Sequence, residues 1–117
     1  MQVHLNTDKN IEGSEDLASH VRNVVEKALG RYADRVTRVE VHLGDMNGKK
    51  TGPQDHSCTM EARPRGLDPV AATHRAGNNH QAIEGAVRAL ESMLRSRLGK
   101  LDNKKGKADL PLAEDQG

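Results

Sequence analysis

Apolar residues recur along this chain first with a period of two, then with a helical period, then again with each in turn. Val3 and Leu5 alternate with His4 and Asn6, a pattern that predicts a short half-buried strand ending at Thr7. After the polar stretch Asp8 to Gly13, Leu17, Val21, Val24, Val25, Ala28, Leu29 and Tyr32 return at helical spacing. Ser14 is suited to cap that helix, and Glu15 and Asp16 place negative charge in its first turn, where the helix dipole favours it. Gly30 weakens the helix by about 1 kcal/mol relative to Ala. Its end is expected near Ala33 to Arg35.

Three alternating segments follow. Val39, Val41 and Leu43 point one way, and Arg38, Glu40 and His42 the other. Cys58, Met60 and Ala62 alternate with Ser57, Thr59, Glu61 and Arg63. Val70 to Arg75 is a weaker strand because Ala is a poor strand former; its inward set is Val70, Ala72 and His74. The connections carry turn signals at Asn47-Gly48, Gly52-Pro53 and Gly66. A last helix, capped by Asn78 or Asn79, turns Ile83, Ala86, Val87, Leu90, Met93, Leu94, Leu98 and Leu101 inward. Glu84, Arg88, Glu91, Ser92 and Arg95 face out. Beyond Leu101 the periodicity is lost, so residues 1–101 read as one domain and 102–117 as a disordered tail.

The order β-α-β-β-β-α predicts an α+β two-layer sandwich. The first strand, helix and second strand should form a right-handed crossover with parallel strands, and the remaining strands an antiparallel meander. Both helices then cover one face of a four-stranded sheet and leave the other to solvent.

Composition narrows what such a domain can do. There is no Phe or Trp, and Tyr32 is the sole aromatic residue. Single-strand readers that stack bases on aromatic platforms are therefore excluded, and any nucleic-acid recognition must rest on backbone and shape. The near-neutral total hides an uneven distribution. Residues 1–62 hold 8 Lys/Arg against 10 Asp/Glu, residues 63–107 hold 10 against 4, and residues 108–117 hold none against 3. A basic half of this kind points to a polyanionic partner. Arg63, Arg65, Arg75, Arg88, Arg95, Arg97, Lys100, Lys104 and Lys105 form the candidate phosphate-binding set, since guanidinium forks match phosphate oxygens. Against this stands a plainer role: Glu84 with Arg88, and Glu91 with Arg95, are i,i+4 pairs that would consume part of the charge locally.

Other chemistry is weakly signalled. Cys58 has no cysteine partner and falls in an alternating run, which suits a small buried residue. The six histidines form neither HxxxH nor HExxH, so no metal is expected. His4 and His42 are candidates for neighbours on the open sheet face, where imidazoles would add charge below about pH 6.5. Lys49-Lys50 lacks the GxxxxGK[ST] spacing of a phosphate-cradling loop. No nucleophile or acid-base constellation is visible, so neither an enzyme nor a cofactor is expected. With no signal-type start and no apolar run of spanning length, a soluble cytoplasmic protein away from membranes is expected.

Several stretches together carry a family likeness over about residues 1–101. They are the opening Met1-Gln2-Val3, the Ser14-Glu15 cap, Lys27 in the first helix, the Asp34-Arg35-Val36 exit before Val39, Val41 and Leu43, and Ala82-Ile83-Glu84-Gly85 in the last helix. In their order and spacing the chain resembles the ribosome hibernation-promoting factor and ribosome-associated inhibitor family in its short form. The resemblance implies a β-α-β-β-β-α domain that binds ribosomal RNA of the small ribosomal subunit in the channel used by mRNA and tRNA, stopping translation under stress. It implies no small-molecule substrate and a monomer off the ribosome. Lys27, Arg63, Arg75, Arg88, Arg95, Arg97, Lys100, Lys104 and Lys105 would then face rRNA. Two stretches depart from the family pattern. An Asp-Met-Tyr-like stretch is replaced by Asn78-Asn79-His80, and a basic Lys-Leu run by Ala89-Leu90-Glu91-Ser92-Met93-Leu94. The rival reading is a small α+β adaptor whose open sheet face or strand edge binds another protein without RNA.

Overall fold

The elements form in the predicted order. In the computed structural model of the 117-residue chain, residues 1–8, 14–45 and 56–106 are described, except the side chains of 45 and 100–106. Strand β1 spans Gln2–Thr7, β2 Val36–Asp45, β3 His56–Pro64 and β4 Val70–Ala76. Helix α1 spans Glu15–Leu29 and α2 spans Asn79–Gly106. The connection carrying Lys49 and Lys50 lies outside the described residues.

The sheet order is β1-β2-β3-β4. β1 lies parallel to β2, with Val3 opposite Val39 and Leu5 opposite Val41, while β2-β3 and β3-β4 are antiparallel. Side chains on the helix side of the sheet close over a core from Val39, Val41, Leu43, Cys58, Met60 and Ala62 to Val21, Val25, Ile83, Leu90 and Leu94. Between β3 and β4, Gly66 adopts φ 74 at the third position of a turn closed by the Leu67 N–H on the Pro64 carbonyl at 3.3 Å. Glycine is the residue that reaches this conformation without strain.

Both helix starts are capped by side chains. Ser14 Oγ accepts from the Leu17 N–H at 3.1 Å, and Asn78 Oδ1 from the Gln81 N–H at 2.8 Å, so Asn78 and not Asn79 closes α2.

Several expectations are corrected. α1 stops at Leu29, and a 3-10 turn, Gly30–Tyr32, swings Tyr32 into the core. Gly30, with its low helix propensity, marks the switch. α2 runs past Leu101 to Gly106, because Asp102 to Lys105 lose apolar periodicity without containing a helix breaker, and the first proline beyond is Pro111. Met93 is exposed, because the buried line advances by fours through Leu90, Leu94 and Leu98 and leaves it on the flank. His74 lies on the helix side of β4 as expected, but β4 is an edge strand and the residue is exposed.

Candidate nucleic-acid interface

The described basic residues divide between the two layers of the fold. On α1, Lys27 is exposed on the flank that faces α2. With Asn23 and Val24 it forms one wall of a groove of about 440 Å³, whose other wall is Glu84, Val87 and Arg88 of α2. On the far side of α2, a cleft of about 540 Å³ separates the end of β4 from the first turns of the helix. Arg75, His74, His80, Glu84, Gly85 and Arg88 line it. Arg88 and Glu84 border both depressions, so Lys27, Arg75 and Arg88 gather around the first half of α2.

Local pairing is uneven within this group. Arg88 is 4.0 Å from Glu84 and its side chain is 78% exposed, a loose contact between solvated groups. Arg95, two turns further along α2, is held more closely. Glu91 accepts from Arg95 at 3.2 Å, from Arg31 at 3.0 Å and from the Tyr32 hydroxyl at 3.0 Å. This carboxylate ties the 3-10 turn to α2. Burial first, then the hydrogen bond to Glu91 and its negative charge, pushes the Tyr32 hydroxyl above its ordinary 10.0, against the lowering effect of Arg31 and Arg95.

Arg97 is exposed on α2. Lys100, Lys104 and Lys105 occupy its last turns, and their side chains lie outside the described residues.

Arg63 belongs to the other layer. It stands on the open sheet face opposite Arg38 and reaches Glu61 at 3.2 Å. Arg38 Nε lies 3.0 Å from Glu40 Oε2, but out of line for a hydrogen bond. That face is thus of mixed charge. His4 is opposite Glu40 and His42 opposite Asn6, so the two imidazoles are diagonal and not paired, and His4 Nε2 meets Gln2 Oε1 at 3.3 Å.

Two relationships across the helix layer had no signal in the sequence. His20 on α1 meets His80 on α2, with His80 Nδ1 3.0 Å from His20 Nε2. Arg31 reaches Glu91, sixty positions away. Neither pair has a periodic or motif signature; each arises only when α1 docks on α2.

Cys58 is fully buried, and burial pushes its thiol up to about 12, an inert core residue. Among the described residues no group of three or more His, Cys, Asp or Glu is placed to hold a metal ion. No helix among them is long and apolar enough to cross a membrane.

A four-stranded mixed sheet carrying two helices on one face, with cations gathered on the helix flanks, defines a class of small α+β domains. Residues 6–102 match the family described as sigma 54 modulation protein / S30EA ribosomal protein, and the chain belongs to that family. The family likeness read from the sequence is borne out. The solved structures that share the fold include two from bacteria. One is the N-terminal domain of Protein Y from Thermus thermophilus, at 20% identity and TM-score 0.62, covering 82% of this chain and 94% of that one. The other is a ribosomal subunit interface protein from Coxiella burnetii, at 16% identity and TM-score 0.53, covering 87% of this chain and 98% of that one. Among curated proteins none matches the chain.

Proposed function

We propose that this protein is a non-enzymatic translation regulator of the cytoplasm. It binds rRNA of the small ribosomal subunit, blocks the path of mRNA and tRNA during stress or stationary phase, and is a monomer off the ribosome. Family membership favours a ribosomal partner, and the name of the Coxiella burnetii relative refers to a subunit interface. One observation carries the reading for this chain: Arg88 borders two depressions that flank the first half of α2, one shared with Lys27 and the other with Arg75. Cations spaced along a groove suit a phosphate backbone, and a domain with a single tyrosine has no stacking platform for bases. The compact body then acts sterically.

Sedimentation with purified small subunits across a salt series tests this. Association is expected at low salt, falling log-linearly as salt rises, and weakened when Arg88, Arg95 and Arg97 are together changed to Ala. No pelleting at low salt, or pelleting indifferent to salt, overturns it.

A protein-binding adaptor is the second reading. The open sheet face favours it, because the pairs Arg38–Glu40 and Arg63–Glu61 give that surface mixed charge unsuited to a polyanion.

A further inference from the structure

The rings of His20 and His80 meet with centroids 4.3 Å apart and planes tilted by 60°. Their facing nitrogens, His20 Nε2 and His80 Nδ1, are 3.0 Å apart. In such a contact one nitrogen carries the hydrogen and the other offers a lone pair. A first added proton goes to the outer nitrogen of the donor ring and strengthens the bond, because charge-assisted hydrogen bonds are the stronger ones. A second would have to occupy the accepting nitrogen and would set two N–H groups against each other. The facing nitrogens therefore share a single hydrogen, with no room for a second between them.

His80 also forms part of the wall of the cleft between β4 and α2. Around it stand His20 from α1, His74 and Arg75 from β4, and Glu84 and Arg88 from α2. From β3, His56 reaches the same turn, with its Nδ1 3.0 Å from Asn79 Oδ1. With the imidazoles neutral, two guanidinium groups face one carboxylate, and Glu84 holds Arg88 only at 4.0 Å. The first turn of α2 adds the positive end of a helix dipole. One proton on the histidine pair would double the net positive charge beside the cleft.

We propose that this cleft is a phosphate subsite whose occupancy is coupled to uptake of one proton by the His20–His80 pair. The inference rests on the reading above for an RNA backbone as the source of the phosphate, and a free phosphorylated metabolite shares the same chemistry. It makes association with the polyanion tighter as pH falls, a response matched to acidification of the surroundings.

Two measurements on the intact protein decide it. The first follows the imidazole resonances of His20 and His80 by NMR while inorganic phosphate is added. Both are expected to shift, and the pair is expected to stay protonated to higher pH in the presence of phosphate. The second measures small-subunit affinity between about pH 8 and about pH 6, the span in which imidazoles change charge. Affinity is expected to rise by up to about tenfold per pH unit, the limit for uptake of one proton. The variant His20→Gln, which removes the pair without altering the cleft wall, is expected to flatten this dependence.

If phosphate leaves both imidazoles unmoved, or if the variant keeps the full pH dependence while subunits still bind, the proton-coupled subsite is wrong and the ribosomal reading stands. If phosphate shifts the pair but subunits bind at no pH, the subsite is supported with a free phosphorylated ligand, and the ribosomal reading falls.

Discussion

The imidazole of His74 on β4 occupies the space that a side chain at Gly85 on α2 would fill: a Cβ built at Gly85 collides with the ring atoms Cγ, Cδ2 and Nε2. A glycine in mid-helix costs about 1 kcal/mol relative to Ala, so position 85 gives up helix propensity for a close approach of strand and helix. Gly85→Ala recovers that propensity but forces the ring out. Overpacking of this kind costs about 1–3 kcal/mol, so a small net loss of stability is expected in urea unfolding. In a His74→Ala background the clash is gone, and Gly85→Ala should become stabilising. The sign change between the two backgrounds is the measurement; the same sign in both would mean that the ring does not restrain the helix.

Tyr32 reports on the seam between the 3-10 turn and α2. Its folded-state pKa lies above the ordinary 10.0, so on raising the pH the unfolded chain releases this proton first. The stabilisation is intact below 10.0 and is lost as pH climbs through the folded-state value. As the sole tyrosine, and with no tryptophan present, it can be followed alone by tyrosinate absorbance. The native midpoint should exceed that in denaturant. Glu91→Gln should lower it only in part, because burial is the larger cause and persists.

The caps give a direct stability test. Ser14→Ala and Asn78→Ala each remove an oxygen that accepts from the third residue of its helix. Each should cost about 1 kcal/mol by urea midpoint, with an unchanged dependence on denaturant.

Cys58 is expected to resist alkylation in the native state, being fully buried and with its thiol pushed up to about 12. Its modification should follow global unfolding, so the rate with an alkylating reagent should rise with urea in step with loss of helical circular dichroism. Rapid labelling without denaturant would show that the sheet opens locally at β3.

Most of the scaffold was legible because it rests on local rules. Alternation at Val39, Val41 and Leu43 names a sheet face wherever one side is buried. The spacing from Ile83 to Leu98 names a helix stripe. Exceptions arose where a neighbour overrode the local signal. Tyr32 stays in the core after α1 has ended, because the 3-10 turn brings its hydroxyl to Glu91. The site was less legible for the same reason. The i,i+4 pairs Glu84–Arg88 and Glu91–Arg95 were readable from spacing, but the placing of Arg88 beside Lys27 on one side and Arg75 on the other depends on how α1 and β4 flank α2. Net charge counts place Arg63 and Arg88 in one basic half, whereas alternation sends Arg63 to the opposite layer.

That division yields the most direct functional test. Lys27 and Arg88 line one groove between the helices, and Arg63 sits beside Glu61 on the open sheet. A polyanion docked on the helix flank gains from the first two and is indifferent to the third. Lys27→Ala with Arg88→Ala should reduce the salt dependence of small-subunit binding, by about one unit of slope for each phosphate that is no longer neutralised. Arg63→Ala should leave slope and affinity within error of the parent, with all proteins checked for equal thermal stability. Should Arg63→Ala weaken binding while the helix pair does not, the open sheet face is the docking surface, and the cations around α2 are an ordinary solvated flank.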